Sequence, residues 1–161
     1  MTQQRVVDEA FLDAWFDMDE SHTRLFEFYF TDNMCENFVN TIYPCNALRI
    51  ALPNAEFYLY NNTYNNITGS KAGIEILPKA NQIVIEDMTF SNSKYTGVFL
   101  MFIQGRPLLN ITNLSFINVD MTGSGMINSI FHLEELSQET NVNIQNLLIQ
   151  DCKFSHQSVA I

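Results

Sequence analysis

An eleven-residue phrase returns along this chain, and nothing else in the sequence constrains the fold as strongly. Phe57-Tyr-Leu-Tyr-Asn-Asn-Thr-Tyr-Asn-Asn-Ile67 comes back as Ile83-Val-Ile-Glu-Asp-Met-Thr-Phe-Ser-Asn-Ser93. It comes back again as Leu109-Asn-Ile-Thr-Asn-Leu-Ser-Phe-Ile-Asn-Val119 and as Val142-Asn-Ile-Gln-Asn-Leu-Leu-Ile-Gln-Asp-Cys152. The starts lie 26, 26 and 33 residues apart. A period of this size marks a solenoid, in which one repeat cannot bury its own apolar face and must stack on the next.

The register inside the phrase selects the kind of solenoid. With its positions numbered one to eleven, positions one and three hold Phe57/Leu59, Ile83/Ile85, Leu109/Ile111 and Val142/Ile144. That is the period-2 pattern of a strand with one buried face. Position eight holds Tyr64, Phe90, Phe116 and Ile149. Position five is always Asn or Asp (Asn61, Asp87, Asn113, Asn146), and so is position ten (Asn66, Asn92, Asn118, Asp151). Asn and Asp tolerate the left-handed backbone that a sharp corner requires, and at one register they can bond from rung to rung as a ladder. Each repeat therefore reads as strand, corner, strand, corner. A third apolar run follows in three of the repeats, each entered through Gly: 73–77, 97–103 and 125–131.

Three strands per coil with variable outer loops is the layout of a parallel β-helix. A β-sandwich has no reason to hold Asn at two fixed corners, and the Leu spacing and helix of a leucine-rich repeat are missing. Over residues 46–161 the pattern resembles the right-handed parallel β-helix of the pectin-lyase-like superfamily. It is similar in particular to long, Asn-rich repeat proteins on the surfaces of unicellular eukaryotes. The resemblance implies an all-β solenoid of about four to five coils. That fold hosts lyases, hydrolases, adhesins and stalks alike, so it does not name an activity.

Residues 1–45 read differently. Between Met1 and Glu36 nine acidic residues face only Arg5 and Arg24. Val7, Phe11, Ala14/Trp15 and Met18 fall at helical spacing, so residues 5–18 are expected to form an amphipathic helix. Such a helix would cap the terminal apolar layer of the solenoid. Asp17-Met-Asp-Glu20 lacks the Gly and the ligand spacing of a calcium loop. Phe26, Phe28 and Phe30, followed by Asp32 and Asn37, look like a degenerate first coil. The expected division is a cap with an imperfect rung over 1–45 and coils over 46–161, continuing in a longer chain or stacking on another subunit.

The formal charge of −10, with 8 Lys and Arg in 161 residues, disfavours nucleic acid, whose phosphates need cations. No stretch reaches the apolar length of a membrane span. Of the three cysteines, Cys35 and Cys45 sit ten apart and are the pair expected to close a small loop in an oxidising compartment. Cys152 is then a buried small residue or an intermolecular thiol. Met1-Thr-Gln-Gln-Arg leads straight into acidic residues without a secretory signal, so export would rest on a signal removed or lying upstream. Asn61, Asn66, Asn110 and Asn113 all satisfy the glycosylation sequon. Asn110 stands at position two between inward residues and faces solvent, which makes it the best acceptor. At the corner sites a ladder role competes with a glycan.

Catalysis on a β-helix needs paired carboxylates, or a carboxylate with a cation, on outward positions of neighbouring rungs. Outward positions two, four and seven of the four phrases offer Glu86 alone. His22, His132 and His156 are scattered without metal-site spacing. No catalytic residue, metal or cofactor is therefore expected. The reading is a non-enzymatic, extracellular or cell-surface structural or adhesive module, glycosylated and able to assemble end to end into a filament. The alternative is a carbohydrate-binding or polysaccharide-cleaving β-helix whose catalytic rungs lie outside this chain. Tyr58 and Tyr60, outward on one strand, are its candidate contact surface, against a sugar ring or a neighbouring subunit.

Overall fold

The computed structural model describes residues 10–15, 26–40, 46–51, 55–69, 74–76, 80–96, 99–104, 108–122, 129–134 and 141–154. Ten non-glycine residues among them have positive φ, between 49° and 58°: Asp32, Asn37, Asn61, Asn66, Asp87, Asn92, Asn113, Asn118, Asn146 and Asp151. Eight of these are positions five and ten of the four phrases. The other two, Asp32 and Asn37, occupy the same positions in a fifth copy, Phe28–Phe38. Each corner turns on a residue type whose short polar side chain tolerates the left-handed region.

Between corners the chain is extended. In order the strands are β1 (Ala10–Trp15), β2 (Phe26–Thr31), β3 (Met34–Glu36), β4 (Val39–Asn40), β5 (Asn46–Ala51), β6 (Ala55–Tyr60), β7 (Thr63–Asn65) and β8 (Thr68–Gly69). They continue as β9 (Ile74–Ile76), β10 (Ala80–Ser91), β11 (Lys94–Tyr95), β12 (Phe99–Gln104), β13 (Leu108–Ile117), β14 (Ser129–Glu134) and β15 (Val142–Gln150). All pairings are parallel and join a strand to its counterpart one repeat away. One sheet runs β1-β5-β9-β12-β14, a second β15-β13-β10-β6-β2 with β3 and β7 beside it, and a third β11-β8-β4. Isolated bridges extend the third sheet from Lys94 to Asp120 and from Asp120 to Lys153. The described part is an all-β parallel solenoid with three faces, and the third apolar runs of the sequence supply β9, β12 and β14.

The pairing keeps the phrases in register: Ile83 lies beside Phe57 and Leu109, and Phe90 beside Tyr64 and Phe116. Inward columns result. Phe57, Leu59, Ile83, Ile85 and Ile111 are fully buried, as are Tyr64, Phe90 and Phe116. The rings of Tyr64 and Phe90 stack at 4.8 Å and those of Phe90 and Phe116 at 5.3 Å. Two further inward columns were not expected. Position six buries Asn62, Met88 and Leu114, and position eleven buries Ile67, Ser93 and Val119. Each buried side chain of this size contributes about 1.5–3 kcal/mol, so the stacked columns are what hold the rungs together.

Polar residues inside these columns are bonded. Asn62 accepts from Asn33 N and Nδ2 at 3.2 and 3.0 Å and donates to the Phe30 carbonyl at 2.7 Å. Ser93 Oγ donates to the Ser91 carbonyl and accepts from Ile67 N. Tyr64 Oη, by contrast, is buried without a hydrogen-bond partner.

The amphipathic helix expected over 5–18 is corrected across its described part. Ala10–Trp15 is strand β1, paired parallel with β5 from Ala10↔Asn46 to Trp15↔Ala51. Helical spacing of a few apolar residues is a weak prior, and hydrogen bonding to the open edge of a sheet overrides it. The remainder of the expected helix lies outside the described residues. β2, β3 and β4 pair with β6, β7 and β8, so Phe26–Asn40 follows the path of the later repeats.

Candidate functional site

Three outward features of the second sheet and its corners carry chemistry. The first is a tyrosine–glutamate face. Parallel pairing places Glu27 beside Glu56, Tyr29 beside Tyr58 and Thr31 beside Tyr60, then Val84 beside Tyr58 and Glu86 beside Tyr60. Alternation turns all of these outward, because the residues between them fill the core. The Tyr29 and Tyr58 rings stack at 4.7 Å with an 11° interplanar angle, and Tyr60 lies tilted 6.1 Å from Tyr58. Each stacked phenol donates to the glutamate two residues before it: Tyr58 to Glu56 at 2.8 Å and Tyr29 to Glu27 at 3.1 Å. The bond to Glu56 pushes the Tyr58 phenol up to about 12, and the bond to Glu27 raises Tyr29. Burial, then the Glu86 charge, raises Tyr60. The phenols thus stay neutral at physiological pH and the face offers aromatic rings with anionic acceptors.

Of this group the sequence reading singled out Tyr58, Tyr60 and Glu86 and missed Tyr29, Glu27 and Glu56. The signal was present in two places. Tyr29 holds position two of the first copy, and the two glutamates stand one residue before position one, just outside the phrase.

The corner ladders are the second feature. At position five, Asn61 Nδ2 donates to Asp32 Oδ1 at 2.7 Å, Asn113 to Asp87 at 2.8 Å and Asn146 to Asn113 at 2.9 Å. At position ten, Asn66 donates to Asn37 at 2.7 Å and Asn118 to Asn92 at 2.9 Å. Asn92 steps sideways and donates to Asn65 Oδ1 at 2.9 Å, where Ser91 Oγ also donates. Every ladder bond points the same way, from a rung to the one before it.

The ladders bear directly on the sequons. The Nδ2 atoms of Asn61, Asn66 and Asn113, where a glycan would attach, are all engaged as donors. Asn110 is exposed on β13 between buried Leu109 and Ile111, beside Val84 and Asn143, and makes no ladder bond.

The third feature is the edge strand β15. Val142 and Ile149 are 37% exposed and Leu148 44%, whereas Ile83 and Phe90, at the same positions as Val142 and Ile149, are fully buried. Cys152 lies half-buried at this end with Sγ 3.4 Å from the Phe116 carbonyl. Cys35 is a buried free thiol in the column of Tyr64, and burial pushes it up to about 11. Its expected partner Cys45 lies outside the described residues. Position eight of the first copy is Cys35 itself, which explains why it points inward.

Asp120 is held below the usual carboxylate range by the Thr122 backbone N–H and hydroxyl, at 2.9 and 2.7 Å. Among the described residues no three His, Cys, Asp or Glu side chains gather as a metal set, and no helix is long and apolar enough to cross a membrane. No protein-family model matches the chain, and comparison with the curated proteins and with the solved structures finds no match.

Proposed function

We propose that this chain is a right-handed parallel β-helix of four to five coils, pectin-lyase-like in form, acting as a non-enzymatic structural or adhesive module outside the cell or on its surface. The observation that carries this reading is the edge strand β15, where Val142 and Ile149 are exposed at positions that the interior rungs bury. An open parallel edge with an apolar cross-section favours continuation by another rung, in a longer chain or in a second subunit. Asn110, exposed and free of the ladder, is the glycan acceptor in this reading, and glycans would keep a chain with only 16% charged residues in solution.

Intact-mass measurement and electron microscopy of native material test it. Glycan mass with rods or filaments is the expected result. A bare, dispersed protein that turns over a polysaccharide would overturn it.

The tyrosine–glutamate face favours a second reading, a carbohydrate-binding β-helix in which Tyr29, Tyr58 and Tyr60 meet a sugar and Glu27, Glu56 and Glu86 accept from its hydroxyls. Glycan-array binding that is lost on Tyr58→Ala supports that alternative.

A further inference from the structure

The two ends of the described solenoid differ in what their corners offer, and the difference identifies an occupant. Every ladder amide donates toward the preceding rung, so the corner side chains of the last described rung offer acceptors along the axis, Asn146 Oδ1 and the Asp151 carboxylate, whose Oδ2 also accepts from Gln150 Nε2 at 3.3 Å. Interior backbone bonds repeat as strictly. Corner N–H groups donate forward to the residue before the next corner, as in Asp32 N to Tyr60 O at 3.0 Å and Asn37 N to Asn65 O at 3.1 Å. Position-seven N–H groups donate back to position six, as in Thr63 N to Asn33 O and Thr89 N to Asn62 O, both 2.9 Å. One more rung on β15 would therefore accept from Asn146 N and Asp151 N, donate to the Leu147 carbonyl, and place an amide donor over Asp151.

The opposite end of the same chain carries that set. Set on β15 in register, Thr31 O, which also accepts from Asn33 Nδ2 at 2.9 Å, and Glu36 O would accept from Asn146 N and Asp151 N, Met34 N would donate to Leu147 O, and Asn37 Nδ2 would donate to Asp151. Met34 and Val39 on this end are 67% and 66% exposed. One corner is discordant: Asp32 would meet Asn146 Oδ1 with a carboxylate and no donor.

We propose that the β15 edge takes the β2–β3 edge of a second copy of this chain in continued parallel register, with Asn37 of one copy donating to Asp151 of the next. The inference rests on the assembly reading above and adds the partner and its register. The contact is heterologous, so it repeats rather than closes, with rungs about 4.8 Å apart.

Sedimentation velocity of the full chain over a concentration series, with two exposed corner variants, is the test. Asp32→Asn keeps the acceptor that Asn61 uses and adds the missing donor. One added hydrogen bond corresponds to about a 2- to 10-fold tighter association. Asn37→Asp keeps the acceptor that Asn66 uses and sets a carboxylate against Asp151. At least about a tenfold weaker association is expected, the scale of a lost charge-assisted bond. Open-ended growth ordered Asp32→Asn, wild type, Asn37→Asp supports the proposal. Growth indifferent to both variants, or a closed dimer, overturns the register while leaving assembly standing. Monomers of all three proteins at every concentration overturn the assembly reading as well.

Discussion

Asn113 donates its side-chain amide to Asp87 Oδ1 at 2.8 Å, and the ladder stops there because Asp87 has no N–H to hand on to Asn61. Asn61 in turn donates away from Asp87, to Asp32. Two acceptors thus meet across one rung of an otherwise directional column. Asp87→Asn supplies the missing donor at a residue already in the left-handed region, φ 54°. The variant is expected to be more stable by about 0.5–1.5 kcal/mol, the net value of one hydrogen bond. Urea unfolding at neutral pH measures it; an unchanged midpoint would show that the rung does not need the bond.

The corners themselves can be dissected at Asn118, φ 53°, whose Nδ2 bonds Asn92. Asn118→Ala loses the ladder bond and the short polar side chain that eases left-handed backbone, a conformation that otherwise costs a Cβ-bearing residue roughly 1–2 kcal/mol. Asn118→Gly loses the bond and keeps the conformation. The glycine variant should therefore unfold at higher denaturant than the alanine variant. The reverse order would mean that the flexibility of Gly in the unfolded chain outweighs corner strain.

Burial sets a gradient along the axis. Ile85 and Ile111 are fully enclosed, whereas Ile144 at the same position is only half-buried on the edge. Ile85→Ala and Ile111→Ala are expected to cost about 2–5 kcal/mol each through lost burial and a cavity, and Ile144→Ala less. Thermal or urea unfolding of the three variants in the unassembled chain checks the ranking.

The sequence made the second sheet legible because its signals are strict. Ile83/Ile85 and Leu109/Ile111 alternate, and Asn or Asp marks both corners. Asn61, Asp87, Asn113 and Asn146 adopt the backbone their side chains favour. The column of Met88 and Leu114 was hidden because it follows a corner, where alternation restarts, and Asn62 masks it with a polar residue. β1 was misread for a different reason. Phe11, Ala14 and Trp15 fit a helical stripe, and what makes Ala10–Trp15 a strand is its partner β5, 36 residues away at Ala10↔Asn46. Of the tyrosine face, Tyr29 was missed because the first copy of the phrase has Phe28 and Phe30 but Cys35 in place of the usual bulky residue.

Asn110 is the position where glycosylation and fold do not compete. It is exposed and outside the ladders, whereas Asn61, Asn66 and Asn113 commit their amide nitrogens to neighbouring rungs. Glycopeptide mass spectrometry of secreted material is expected to find Asn110 occupied and the corner sites less so. Full occupancy of the corners with a bare Asn110 would reverse the assignment.

Tyr64 offers the sharpest energetic test. Its hydroxyl is fully buried between Cys35 and Phe90 without a hydrogen-bond partner, and burial raises its phenol far above the usual tyrosine range. An unpartnered buried hydroxyl costs about 1–3 kcal/mol, so Tyr64→Phe, which keeps the ring stack on Phe90, should stabilise the protein at neutral pH. The pH dependence follows from linkage. Tyr64 and Cys35 both stay protonated in the folded chain above the pH at which they ionise when unfolded, so the unfolded state binds fewer protons there and stability falls as pH rises. For Cys35 the loss runs from about pH 9 to about 11, and for Tyr64 it begins near pH 10. Urea midpoints measured from pH 7 to 11 should decline above pH 9 in the wild type. Tyr64→Phe should start higher and decline less steeply beyond pH 10. Parallel curves for the two proteins would show that the phenol is solvated or bonded in solution.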